Sequence, residues 1–347
     1  MNDLEKRVHL FARISLVCIF LVIIAGSIVR MTGSGMGCPD WPTCFGYLIP
    51  PTDVSELTYS QGRTYNANQM VIQNDTLWVA NHDLVAEASF ARDQWHKYPK
   101  HDYAEFNAVQ TWIEYINRLL TAVLALPSFL LLFFSVRYSF RYKTFTPALL
   151  AGGLIFSIGF VAWLGKLVVD GNLAHGKVTF HMIGSMMIIS FMTALVSWSD
   201  RSLRAPMAPK MRWLAVAVLL LGIAQVLMGT QVREGVDEVA LRNDQRHEWI
   251  GMLPVTFIIH RSFSLLVVGS IFWLYRLNEK LLAPFKWIRV LLVVIVLEIV
   301  AGVVLAYAGM PRGFQPVHLF FAMVMFALAF YGLVNFSRKK SAEVPTR

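Results

Sequence analysis

Apolar residues gather in eight runs, at roughly 11–29, 113–135, 147–168, 178–198, 213–232, 252–275, 287–307 and 317–336. Each approaches the roughly 20 residues that carry a helix across the hydrocarbon core, where a helix satisfies its own backbone. The pattern predicts an all-α integral membrane protein with eight transmembrane helices. The polar segments between the runs alternate in character. Lys6, Arg7 and Arg13 fall on one side, with Arg137, Arg141 and Lys143, and with Arg201, Arg204, Lys210 and Arg212. The same side holds Arg276, Lys280, Lys286 and Arg289, then Arg338, Lys339, Lys340 and Arg347. An excess of Lys and Arg marks the cytoplasmic side, so both termini are expected there and the long polar segment 31–111 outside. That segment carries Tyr59, Trp78, Phe90, Trp95 and Tyr98 and is expected to pack on the membrane domain as short helices. Trp112, Trp213, Trp249 and Trp287 stand at span edges, as interfacial aromatics do. The first run resembles a cleaved signal peptide, but it is long and its end has a counterpart later in the chain.

Composition sharpens this. Of 347 residues, 56% are hydrophobic and 15% charged, against about 45–50% and about 25% in ordinary globular domains. Secreted, nuclear and cytosolic classes are thereby excluded. The net charge of +9 sits in clusters between the apolar runs, so the lipid bilayer, and not nucleic acid, is the expected partner. Three cysteines exclude a disulfide scaffold and a cysteine-ligated zinc or iron–sulfur framework. Cys18 reads as apolar filler. Cys38 and Cys44, six apart on the oxidising face, favour a disulfide, and exposure near a cofactor would also permit a redox role.

The chain also reads as a duplication, four spans per copy. Span one ends Gly26-Ser27-Ile28-Val29-Arg30, and span five ends Gly229-Thr230-Gln231-Val232-Arg233. Asn117-Arg118 opens span two as His260-Arg261 opens span six. Gly165 precedes His181 by 16 residues, and Gly302 precedes His318 by the same 16. Two pseudo-symmetric four-helix bundles follow. Residues 1–200 form the N-terminal half with the outer loop 31–111, and residues 201–347 form the C-terminal half. Their axis should run along the membrane normal.

Nine histidines are present. His9, His82, His96, His101, His175 and His247 fall outside the spans and read as solvated or interfacial. His181, His260 and His318 lie inside spans, where ionisable residues are functional candidates by default. The bland alternative for each is a hydrogen-bonded interhelical histidine. Asn117, His181, His260 and His318 share one depth, near the outer ends of even-numbered spans. Facing imidazoles across a bundle suit the two axial positions of a macrocycle's iron. His260 and His318 make a complete pair, whereas His181 faces Asn117, and a carboxamide is a poor iron ligand. One closed and one open site suit an electron carrier beside a reaction centre. Glu114, one turn before Asn117, is a candidate catalytic carboxylate, or the partner of Arg118 in an i,i+4 ion pair, or both. Arg30, Arg118, Arg233 and Arg261 recur at matching positions as candidate contacts for anionic propionates, or as interface anchors. Glu298, inside span seven, fits a proton path or an interhelical hydrogen bond.

These residues together resemble the heme A synthase family of cytochrome oxidase maturation. The resemblance rests on Gly-Ser-Ile-Val-Arg-Met-Thr-Gly-Ser-Gly at 26–35, the Cys38/Cys44 pair, Glu114 with Arg118, His181, His260-Arg261 and His318, and it covers nearly the whole chain. It implies oxidation of the C8 methyl of heme O to a formyl group by successive hydroxylation and dehydration of a geminal diol. It implies heme b between His260 and His318 in the C-terminal half. It also implies heme O in the N-terminal half at His181, with Glu114 catalytic. A heme O synthase and a membrane electron acceptor are the expected partners, and the cell (inner) membrane the expected location. The chain departs from the family where Glu-x-x-His-Arg becomes Glu-x-x-Asn-Arg at Asn117, and where loop 233–250 lacks a cysteine pair. The rival readings are a di-heme, quinone-reactive cytochrome without substrate chemistry, and a heme transporter or chaperone.

Overall fold

The structure, a computed structural model, describes residues 2–100, 105–170, 177–199 and 207–336. Among them, eight helices are long and apolar enough to cross a membrane. They are α1 (Asp3–Thr32), α2 (Ala108–Tyr142), α3 (Thr146–Asp170), α4 (Lys177–Ser199), α5 (Pro209–Ala240), α7 (Val255–Asn278), α8 (Lys286–Tyr307) and α9 (Phe314–Phe336). The short α6 (Trp249–Met252) lies between α5 and α7. The chain is thus an integral, multi-pass membrane protein. Seven of these helices cover their predicted apolar runs, α7 starts three residues inside its run at Val255, and α1, α2 and α5 run on by one or more turns into the polar flanks.

The chain divides into two compact units. The first contains residues 1–24, 123–161 and 178–347, and its described residues are mainly helical. Within it α5 packs on α7 and α9, and α8 packs on α7 and α9, closing a ring of four helices. Val218, Val267, Ile271, Leu291, Ile295 and Met323 fill its core. The earlier helices join the same core. Phe11 of α1 stacks on Phe134 of α2 at 5.4 Å, and Trp198 of α4 meets Tyr138 of α2 edge-on at 5.0 Å. His9, read as solvated or interfacial, is half-buried and places Nδ1 2.8 Å from the hydroxyl of Ser199. Trp249 is buried beside Val236 and Met310, and its indole N–H donates to the carbonyl of Asn243. It caps the connection between α5 and α7.

The second unit contains residues 25–122 and 162–177. Here the expectation of short helices for the long outer segment is corrected. Its regular structure is mainly strand: β1 (Thr64–Tyr65), β2 (Met70–Gln73), β3 (Thr76–Ala80), β4 (Leu84–Val85) and β5 (Trp95–Lys97), beside single 3₁₀ turns. β2, β3 and β5 form one antiparallel sheet in that order, and β1 pairs with β4. The physical reason is local. Asn74 and Asp75 both take positive φ, the two-residue hairpin geometry whose twist matches paired strands. The flanking Met-Val-Ile-Gln and Thr-Leu-Trp-Val-Ala are short and rich in residues that fit a pleated surface. Tyr65, Trp95, Tyr59, Trp78 and Phe90 pack as one aromatic cluster over this sheet.

Candidate functional site

In the second unit candidate site residues gather around residues 37–46. The disulfide Cys38–Cys44 closes a short loop. Asp40 organises it from inside, accepting the N–H groups of Phe45 at 2.6 Å and Gly46 at 3.0 Å and the hydroxyl of Thr43. Thr111, Glu114 and Arg118 lie three and four residues apart, on one face of α2, and that face meets the loop. The Thr111 hydroxyl donates to the carbonyl of Gly37 at 2.8 Å. A Cβ at Gly37 would stand 2.6 Å from the Gln110 carbonyl oxygen, so only glycine permits this approach. Arg118 donates through Nη1 to the carbonyls of Asp40 (2.6 Å) and Thr43 (2.9 Å). Through Nη2 it donates to the carbonyl of Cys38 (3.2 Å) and to Oε1 of Glu114 (2.6 Å). Oε2 of Glu114 accepts the N–H of Cys38 at 3.0 Å. Glu114 is therefore a buried carboxylate fixed at both oxygens, and Arg118 is the staple of the disulfide loop.

Asn117 lies on the same helix, half-buried, with its Oδ1 3.7 Å from where a Gly26 Cβ would be. That oxygen is buried without a hydrogen-bond partner among the described residues. His181 lies near the start of α4, half-buried in the helical unit.

The clearest juxtaposition in the helical unit is between α7 and α9. The rings of His260 and His318 have centroids 6.4 Å apart and planes crossing at 77°. Each ring rests on a glycine of a neighbouring helix. A Cβ at Gly229 would stand 3.2 Å from Cε1 of His260, and one at Gly302 would stand 3.3 Å from Cε1 of His318. The repeated glycines are thus cradles for the repeated histidines. Nδ1 of His318 lies 3.2 Å from Oε1 of Glu298 and 3.3 Å from the Glu298 carbonyl oxygen. Gln225 donates to the carbonyl of His260 at 3.1 Å, and its Nε2 lies 3.4 Å from the ring Nε2. Imidazole–metal bonds of about 2 Å, plus the rings' own radii, put two rings that share one metal about 6 Å apart between centres. The 6.4 Å separation fits that requirement, and the contact of Glu298 with Nδ1 of His318 leaves Nε2 as that ring's nitrogen for a metal.

The remaining arginines differ in their surroundings. Arg233 bridges Asp237 at 2.7 Å and Gln315 at 2.8 Å. Arg261 is exposed, its guanidinium 5.8 Å from the Phe257 ring centre. Arg30 ends α1. His96 pairs with Asn81 at 2.6 Å, and His82 and His247 are exposed. His101 and His175 lie outside the described residues. Gln225 escaped the sequence reading, and the contact of Glu298 with His318 did too. The signal was present: each stands four residues before a repeated glycine.

The chain is similar in sequence to known proteins. A heme A synthase of Bartonella tribocorum is 22% identical over 360 residues, covering 94% of this chain and 91% of that protein. One from Bacillus licheniformis is 22% identical, covering 94% of each. One from Shewanella oneidensis is 26% identical over 225 residues, covering 62% of this chain and 54% of that protein, so the match spans about half of that relative's length. The family model described as cytochrome oxidase assembly protein matches residues 9–79 and 81–330. The chain belongs to the cytochrome oxidase assembly protein family.

Proposed function

We propose that this chain is a heme A synthase, oxidising the C8 methyl of heme O to a formyl group. The observation that carries the reading is the His260–His318 pair, two imidazoles spaced for one iron and each seated on a glycine. Heme b is the group these residues suit, and it supplies one-electron transfer toward a membrane acceptor. The substrate heme occupies the N-terminal half. On the sequence reading His181 would supply a nitrogen ligand for it, and the carboxamide of Asn117 would bind iron poorly.

Heme O becomes heme A through two hydroxylations of one carbon. With water as the oxygen source, each hydroxylation releases a pair of electrons and two protons, and loss of water from the geminal diol then gives the aldehyde. A fixed carboxylate is suited to taking those protons, and Glu114 is held for that by Arg118 and the N–H of Cys38. Arg30, Arg233 and Arg261 remain candidates for the propionates. Arg118 acts instead by holding the loop. The two halves form pseudo-symmetric bundles, with both termini cytoplasmic and the chain in the inner membrane. A heme O synthase supplies the substrate.

Electron paramagnetic resonance of the purified protein tests the site assignment. His260→Ala and His318→Ala are each expected to abolish a six-coordinate low-spin signal, and Asn117→Ala to leave it. Survival of that signal in either histidine variant would overturn the bis-histidine reading.

A further inference from the structure

We propose that Glu298 is a positioning residue for the resident heme, fixing the orientation and donor strength of His318; Gln225 holds the same sequence offset beside His260 but meets that ring at Nε2, not Nδ1. The proposal rests on the bis-histidine reading of that site. Its ground is a repeated local device. Gln225 stands four residues before Gly229, and Glu298 four before Gly302. On a helix that offset puts both side chains on one face, stacked one turn apart. The glycine admits the imidazole, and the polar side chain one turn away addresses it. Nδ1 of His318 lies within 3.2 Å of Oε1 of Glu298, and Gln225 touches both the backbone and the ring of His260.

Further capacity is left in both contacts. Oε2 of Glu298, Oε1 of Gln225 and Nδ1 of His260 are buried with no partner among the described residues. A carbonyl oxygen and a ring nitrogen, each lacking a hydrogen bond, thus belong to two side chains already in contact.

The other half of the chain carries the contrast. The same offset before Gly26 and Gly165 gives Val22 and Val161. Valine fills the place but accepts no hydrogen bond. Metal-bound imidazoles ordinarily give their second N–H to a carboxylate or carbonyl, which fixes the ring and strengthens the ligating nitrogen. A resident cofactor gains from that fixation. A site that must admit one heme and release another is better served without it. The polar pair therefore marks the site that keeps its heme, and the valine pair the site that exchanges it.

The test uses full-length protein purified with its heme, comparing wild type, Glu298→Gln, Glu298→Leu and His318→Ala by paramagnetic resonance and redox titration. Both Glu298 variants are expected to keep the six-coordinate low-spin signal. Their heme potential should move positive, further in Leu than in Gln, because a poorer acceptor at Nδ1 weakens the ligand and favours the reduced iron. A purely structural role would lower yield or thermal stability and leave the potential in place. Unchanged potentials with the low-spin heme retained would overturn the proposal, as would complete loss of that heme in Glu298→Gln. Should Glu298→Leu not fold, the direction in Glu298→Gln decides alone. A low-spin signal that survives in His318→Ala overturns the bis-histidine reading itself, whatever Glu298 does.

Discussion

The backbone N–H of Cys38 and the side chain of Glu114 are joined by a 3.0 Å hydrogen bond across 76 positions of sequence. Through it the carboxylate proposed for the chemistry and the disulfide of the outer loop form one assembly, with Arg118 bonded to both. Changes at either member should be felt at the other.

Glu114→Gln should leave the loop folded, because an amide oxygen can still accept from Arg118 or from Cys38. It should lower heme A formation by roughly 10²-fold or more, the range of a lost general base. Product formed per enzyme, with disulfide content measured by mass spectrometry on the same sample, checks this. A native rate would reduce Glu114 to a helix-end ion pair.

Arg118→Ala should be the more damaging change for stability. It strips three carbonyls and a buried carboxylate of their donor, and breaking a buried ion pair from one side costs about 3–5 kcal/mol. Thermal denaturation should show a large drop for Arg118→Ala and a smaller one for the double variant Glu114→Leu with Arg118→Leu, which leaves no charge unpaired. A double variant less stable than Arg118→Ala would contradict the pairing.

The glycine cradles give a steric prediction with an internal control. Gly229→Ala and Gly302→Ala add a Cβ 3.2 and 3.3 Å from the imidazoles, and valine adds more, so low-spin heme content should fall from Gly to Ala to Val. Gly159 and Gly269 have open space at that position, and alanine there should leave heme content unchanged. Equal losses at all four sites would show a general helix effect and no cradle.

Acid should loosen the outer unit at a defined place. Oε1 of Glu56 accepts from the N–H of Thr52 (2.7 Å), its hydroxyl (2.8 Å) and the N–H of Asp53 (3.1 Å), and the Thr52 bonds hold its pKa below the ordinary value. A carboxyl depressed in the folded state stabilises fully above its unfolded pKa and ceases to do so as pH falls through the folded value. Protection factors for the Thr52 and Asp53 amides should therefore fall in acid in the wild type and stay flat in Glu56→Gln. Parallel curves would contradict this.

Much of the membrane part was legible, because a span is announced by its own composition and needs no partner. The recurrence of Gly229 and Gly302 with His260 and His318 was legible too, although only the structure gives the glycines their task. What stayed hidden depends on residues far apart in sequence. The Arg118 guanidinium, read as a propionate contact, an interface anchor or the ion-pair partner of Glu114, also meets backbone carbonyls of residues 38, 40 and 43, and carbonyls leave no mark in a sequence. The strands between residues 64 and 97 have two to five residues each, too short for a period to emerge, and they hold through pairing and the Tyr65–Trp95 cluster.

The central claim is that this chain turns heme O into heme A, and the pigment itself tests it most directly. Membranes carrying the full-length protein are supplied with heme O, and the extracted hemes are separated and weighed by mass spectrometry. Heme A together with its hydroxymethyl precursor is expected, and in Glu114→Gln unreacted heme O beside an intact b heme. Recovery of heme O and protoheme alone, from protein that binds both, would contradict it.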